Sequence, residues 1–209
     1  MDLNLSKISS ILNDFAIDRI YEIIEKYGFQ LNNEQLELFN ALITSNRVIR
    51  VDYDSEQVRN HYANEQIPAA SGPRSWGDGL IHIYPFIFEN KTTEEIIEKY
   101  ITEGIITHEL FHYLVSLDTL NNNPEYDMYY SFLNEGFVQY LTEQIEGREI
   151  ESSNYRSNVE FVKGILNKMN NNTKGILNKQ LSENEINLIN EMYKEYINEQ
   201  ESRNNLNIF

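Results

Sequence analysis

Apolar positions in the first part of the chain, roughly Leu5 to Asn46, recur at helical spacing, with Ile8, Ile11, Leu12, Phe15, Ile20, Ile23 and Ile24 forming one series. Gly28 suits the end of that helix, and Asn33 suits the cap of a second one carrying Leu36, Leu38, Phe39, Leu42 and Ile43. The pattern then changes period. Arg47 to Tyr53 alternates like a strand, Pro68 to Gly79 collects turn residues, and Leu80 to Phe88 reads as a second strand. Pro85 has no N–H to give to a ladder, which places that strand at a sheet edge or bends it there. Thr92 and Glu95 form a capping-box pattern that opens a long helix, with Ile96, Ile97, Tyr100, Ile101, Leu110, Phe111 and Leu114 on its buried side. After an Asn121–Pro124 turn, a further helix runs to about Glu146 and ends at Gly147. The tail from Glu151 is Asn-rich and helical, and Lys163–Lys168 repeats as Lys174–Lys179, too little to make a solenoid.

These elements predict an α+β fold: a small twisted sheet with helical segments on either side. The expected divisions are an N-terminal helical segment (1–46), a core (47–150) and a C-terminal helical segment (151–209), together one unit of 209 residues. Composition narrows the chemistry. The net charge of −16 repels phosphate backbones, so nucleic acid is excluded as the first choice of partner. The absence of cysteine removes disulfides, thiolate metal sites and cysteine nucleophiles together, so a metal here must be held by His and carboxylates. No apolar run is long enough for a membrane span, and Met1–Asn13 has neither the basic start nor the apolar centre of a signal peptide. The richness in Asn, Ile, Lys and Tyr fits the AT-rich codons of a low-GC bacterium, and the compartment, cytoplasmic or exported, stays open.

The informative string is Thr107-His108-Glu109-Leu110-Phe111-His112, an H-E-x-x-H within a predicted helix. Residues four apart share one helix face, so His108 and His112 can ligate one zinc while Glu109 stands beside it as a base for the metal's water. A catalytic zinc needs a third protein ligand. Asp118, six residues after His112, echoes one known layout, but that layout needs a sharp turn where this chain has the β-branched Val115. Glu135, in Phe132-Leu-Asn-Glu-Gly-Phe-Val-Gln-Tyr140, is the other candidate, on the following helix. His82 finds a ligand set that these candidates already fill, and His61 has no partner spacing.

His108-Glu-Leu-Phe-His112 together with Leu133-Asn-Glu-Gly-Phe137 resembles the gluzincin zinc peptidases over positions 104–145. The resemblance implies His108, His112 and Glu135 as ligands of Zn2+, Glu109 as general base, and a small sheet packed on a zinc helix and a glutamate helix in a stand-alone minimal domain. It implies a peptide or protein substrate, held against an edge strand expected at Leu80–Phe88. Related enzymes add a Tyr near seven residues before the ligand Glu; Met128 stands there, so Tyr129 and Tyr130 are the candidates to steady the oxyanion. The G-x-M-E-N motif that reads a free N-terminus is absent, Glu89-Asn90 being only a fragment, which points to an endopeptidase rather than an aminopeptidase. Gln139 replaces the Asp that often orients a ligand His, with Thr142 and Glu143 as further supports. The competing readings are a regulatory or toxin-associated metalloprotease with one protein target, and a non-catalytic zinc-site protein. Oligomeric state is not legible.

Overall fold

The structure, a computed structural model, describes residues 3–52, 68–70, 78–88, 90–115, 127–150, 154–178 and 180–206, without the side chains of 127–130, 201 and 203–206. Helix α1 (Leu5–Tyr27) starts at Asn4, whose side chain accepts from Lys7 N–H, and ends at Gly28. It buries Ile8, Leu12, Ala16, Ile20 and Ile23 completely, while Ile11 is on the exposed side of the stripe. Helix α2 (Asn33–Ser45) is capped one residue earlier than expected, by Asn32, in a capping box closed by Gln35. Gln35 is itself buried, and its Nε2 donates to the carbonyls of Leu114 and Leu177, 2.9 and 2.5 Å away.

The sheet has three strands in the order β1–β3–β2: β1 (Ile49–Val51), β2 (Ala69–Ala70) and β3 (Ile81–Ile83). β1 pairs parallel with β3, Ile49 opposite Ile81, and β2 pairs antiparallel, Ala69 opposite Ile83. Asn13 of α1 fastens β1 by accepting from the N–H groups of Val48 and Ile49, at 2.7 and 3.0 Å. Two expectations are corrected here. The strand at Leu80–Phe88 is central, not an edge, and spans only three residues. It stops before Pro85, which opens a 3-10 turn (Pro85–Ile87), so the missing N–H never falls within the ladder. The edge next to the following helices is β2.

The single long helix expected from Thr92 is two helices, α3 (Thr93–Thr102) and α4 (Ile105–His112). The Thr92–Glu95 capping box forms as expected. The break is Gly104, at φ +66, where a Cβ would lie 2.5 Å from Ile150 Cδ1 and 3.2 Å from Thr142 Cγ2. Only glycine lets the chain turn there while pressed against the end of the next helix, α5 (Asp127–Glu146), which stops at Gly147, again with positive φ. The tail forms α6 (Arg156–Lys168), the short α7 (Lys174–Leu177) and α8 (Glu183–Leu206), so the repeated hexapeptide opens within one helix and starts another. Buried residues from Ile8 to Ile189 form one hydrophobic cluster, and β2, β3, α1, α3 and α5 all pack against α4. The result is a helix-dominated α+β fold with a three-stranded mixed sheet.

A side chain at position 104 combines left-handed backbone strain with overpacking against Ile150. Gly104→Ala is expected to lower unfolding free energy by about 2–4 kcal/mol, read as a drop in the denaturant midpoint; an unchanged midpoint would show that α3 and α4 do not need this break.

Candidate metal centre

Helix α4 is almost wholly buried, including Thr107, His108 and Glu109. Thr107 donates to Glu146 of α5 at 2.6 Å, and Glu146 also pairs with Arg19 of α1 at 3.2 Å, so three helices are fixed at the start of α4. One turn on, His108 and His112 project together toward Glu135 on α5. His108 Nε2 and His112 Nε2 are 3.2 Å apart, and Glu135 offers one carboxylate oxygen to each, at 3.1 and 3.5 Å. Glu109 and the two imidazoles each place a ligand atom within 4.8 Å of the others.

The hydrogen bonds on the far side of each ring decide what this pocket can hold. His108 Nδ1 lies 3.0 Å from Gln139 Oε1, an acceptor, so Nδ1 carries a hydrogen and the neutral ring has its lone pair on Nε2. His112 Nδ1 lies 3.2 Å from Asn134 Nδ2, which donates to it, so a neutral His112 ring carries its hydrogen on Nε2. The two imidazole Nε2 atoms and a carboxylate converge, and a half-turn of the Asn134 amide would leave a lone pair on each nitrogen for a metal. Ligands at about 2.0–2.1 Å around a tetrahedral zinc stand roughly 3.3 Å from one another, and the separations of 3.1, 3.2 and 3.5 Å match that spacing. The donor set is one that could hold a metal ion.

Electrostatics follow the same convergence. Burial alone would raise the Glu135 carboxyl, but hydrogen bonds from His108 and His112 and their charge outweigh it and hold it well below the usual carboxylate range. Burial works against the His112 imidazolium, yet the Glu135 hydrogen bond and the charges of Glu109 and Glu135 raise its pKa above the ordinary 6.5.

A residue without a sequence motif completes the pocket. Tyr155, at the start of α6, stacks on His108 with ring centroids 5.4 Å apart and planes 12° from parallel, and its hydroxyl bonds to Glu135. Burial, then the charges of Glu135 and Glu109 and the Glu135 hydrogen bond, keep the phenol well above its ordinary pKa of 10.0, so it stays protonated. Tyr155 reaches the site because α6 crosses α5 at Gly136, directly after the ligand candidate. A Cβ there would lie 2.8 Å from Val162 Cγ2 and 2.9 Å from the Asn158 carbonyl. Its neighbour Arg156 is held by Glu149 and Glu160, each at 2.8 Å, and by the buried Glu143 at 3.6 Å. That glycine, beside an N-E pair, is the one trace of this helix crossing in the sequence.

Of the other sequence candidates, Glu143 accepts from Ile150 N–H at 3.2 Å and Thr142 donates to the Val138 carbonyl at 2.8 Å, so neither supports a ligand imidazole. His82 stands apart, between Asp52 and Asp78, with Nε2 2.9 Å from Asp78. Asp118, His61, Glu89, the Asn121–Pro124 turn and the side chains of Tyr129 and Tyr130 lie outside the described residues. No protein family, curated protein or solved structure matches the chain.

In chelator-treated protein these shifts set the pH dependence. A depressed Glu135 stabilises the fold above the ordinary carboxyl value of 4.5, and that contribution is lost as pH falls below it. A raised His112 stabilises below the ordinary 6.5 and is lost as pH climbs through its folded value. The Tm difference between wild type and Glu135→Gln should therefore be largest between these limits and shrink on both sides; a difference independent of pH would contradict the pairing.

Proposed function

We propose that this protein is a zinc-dependent peptidase, acting within peptide chains, with His108, His112 and Glu135 as ligands and Glu109 as general base. The observation that carries the proposal is the convergence of two imidazole nitrogens and a carboxylate, spaced as tetrahedral ligands are, with a second, buried carboxylate beside them. Zinc binding alone has no use for Glu109. A buried carboxylate next to a metal water is what hydrolysis uses, and this favours a catalyst over a protein that only stores zinc.

Bound zinc supplies a Lewis acid for the scissile carbonyl and brings a water's pKa to about 7. Glu109 accepts the proton of the attacking water and passes it to the departing amine nitrogen, so the peptide C–N bond breaks as a neutral amine leaves. The protonated Tyr155 phenol faces the same pocket and donates to the oxygen that gains negative charge, the part the sequence pattern assigned to Tyr129 or Tyr130. Extended substrate adds to β2, an edge of the sheet among the described residues and packed on α4. Tyr100 sets its height: the hydroxyl donates to the Pro68 carbonyl at 2.7 Å, immediately before β2, and accepts from Tyr84 N–H at 3.1 Å.

Purified protein should contain one zinc per chain and digest a peptide library, with cleavage abolished by chelation and restored by zinc. Glu109→Gln is expected to retain the metal and lose turnover by at least about 10²-fold, and Glu135→Ala to lose the metal itself. Wild-type turnover in Glu109→Gln would remove the general base from the scheme. Tyr155→Phe should keep zinc and lower kcat by about 10²-fold with little change in KM; an equal loss in a Tyr129→Phe, Tyr130→Phe double variant with Tyr155 intact would return the donor to α5.

A further inference from the structure

Both histidines of the pocket lean on amides where carboxylates would bind them more strongly. Gln139 is 4 % exposed and meets His108; Asn134 meets His112 from one turn earlier on the same helix. Each amide also keeps one buried polar atom with no hydrogen-bond partner among the described residues, Gln139 Nε2 and Asn134 Oδ1. An orphaned buried atom works against folding, so Gln139 is retained for something other than stability. The common effect of the two amides is on the rings. An amide oxygen that accepts from Nδ1–H leaves the lone pair on Nε2, the atom that faces Glu135. For Asn134 that means Oδ1 toward His112, a half-turn of the amide that gives the orphaned oxygen its partner.

We infer that Asn134 and Gln139 are positioning residues that hold both imidazoles in the metal-ready tautomer without adding charge, and that the centre consequently binds its metal reversibly and exchanges it with the surrounding pool. This rests on the metal-centre reading. Two carboxylates, Glu109 and Glu135, already stand in the pocket, enough to neutralise one divalent cation. Carboxylates at 134 and 139 would make the filled centre doubly negative and the ligand nitrogens stronger donors, which tightens metal binding. They would also crowd four negative groups into the empty pocket. With amides, the pocket carries only the Glu109 and Glu135 carboxylates, so its ligand atoms gather at 3.1 to 3.5 Å without four negative groups among them.

The test is zinc affinity, measured on the full chain by competition with a chromogenic chelator, with the visible spectrum of the Co2+ form as a report on ligand geometry. Gln139→Glu is expected to tighten zinc binding about 10-fold or more and to slow chelator-driven release, and Asn134→Asp to act in the same direction; Gln139→Leu should weaken binding about 10-fold or more. All three should keep the tetrahedral Co2+ spectrum. If wild type binds zinc and both acidic variants stay within about two-fold of it, the inference is overturned while the metal centre stands. If wild type binds no zinc, the metal-centre reading falls, and this one with it.

Discussion

Two imidazoles and a carboxylate are held together in one pocket where only a positive charge, from a proton or a cation, reconciles them, and the fold of this protein is arranged to keep them there. His108, His112 and Glu135 face each other at 3.1 to 3.5 Å from two separate helices. The cost of bringing them together must be met by packing elsewhere. α4 is buried on nearly every side by β2, β3, α1, α3 and α5, so its histidines have no freedom to swing apart. Gln35 takes up the Leu114 carbonyl just beyond α4, and Thr107 and Arg19 meet Glu146 at its other end. Both ends of the helix are thus fixed by polar contacts that do not touch the site.

Two glycines set the distances that matter. Gly104 breaks what would otherwise be one long helix, and the redirected α4 lies against the end of α5 at a separation no Cβ allows. Gly136 does the same between α5 and α6, bringing Tyr155 over His108. One glycine therefore sets how α4 meets Glu135, and the other sets which aromatic closes the pocket. Substituting either acts on helix separation first and on chemistry only through it.

How far the sequence could foretell this depends on the range of the interaction. Local signals were legible: the Thr92–Glu95 capping box, the α1 and α2 stripes, and the stop at Gly147 all appear as their residues suggest. The H-E-x-x-H spacing is likewise a local matter, because one helical turn places both imidazoles on one face, and the structure brings Glu135 to them. What was misread depends on contacts distant in sequence. The apolar pattern from Thr92 reads as one long helix, because nothing near Gly104 in the chain announces Ile150 and Thr142 beside it. Pro85 points to an edge strand or to a bend, and it is the bend that forms: the strand ends before it and is flanked on both sides. Tyr155 sits in a tail that reads as packing, and its approach is encoded only by the missing side chain at 136.

The pairing of ligands with amides gives that geometry a further consequence. A pocket whose outer hydrogen bonds are neutral needs less compensation when empty, because only Glu109 and Glu135 bring negative charge, and a raised His112 can carry the proton that offsets one of them. A proton and a metal would then compete for the same nitrogens: acid would fill the pocket with hydrogen, and at higher pH the nitrogens would be open to a metal. What the site requires is a positive charge between two imidazoles and a carboxylate, and either could supply it.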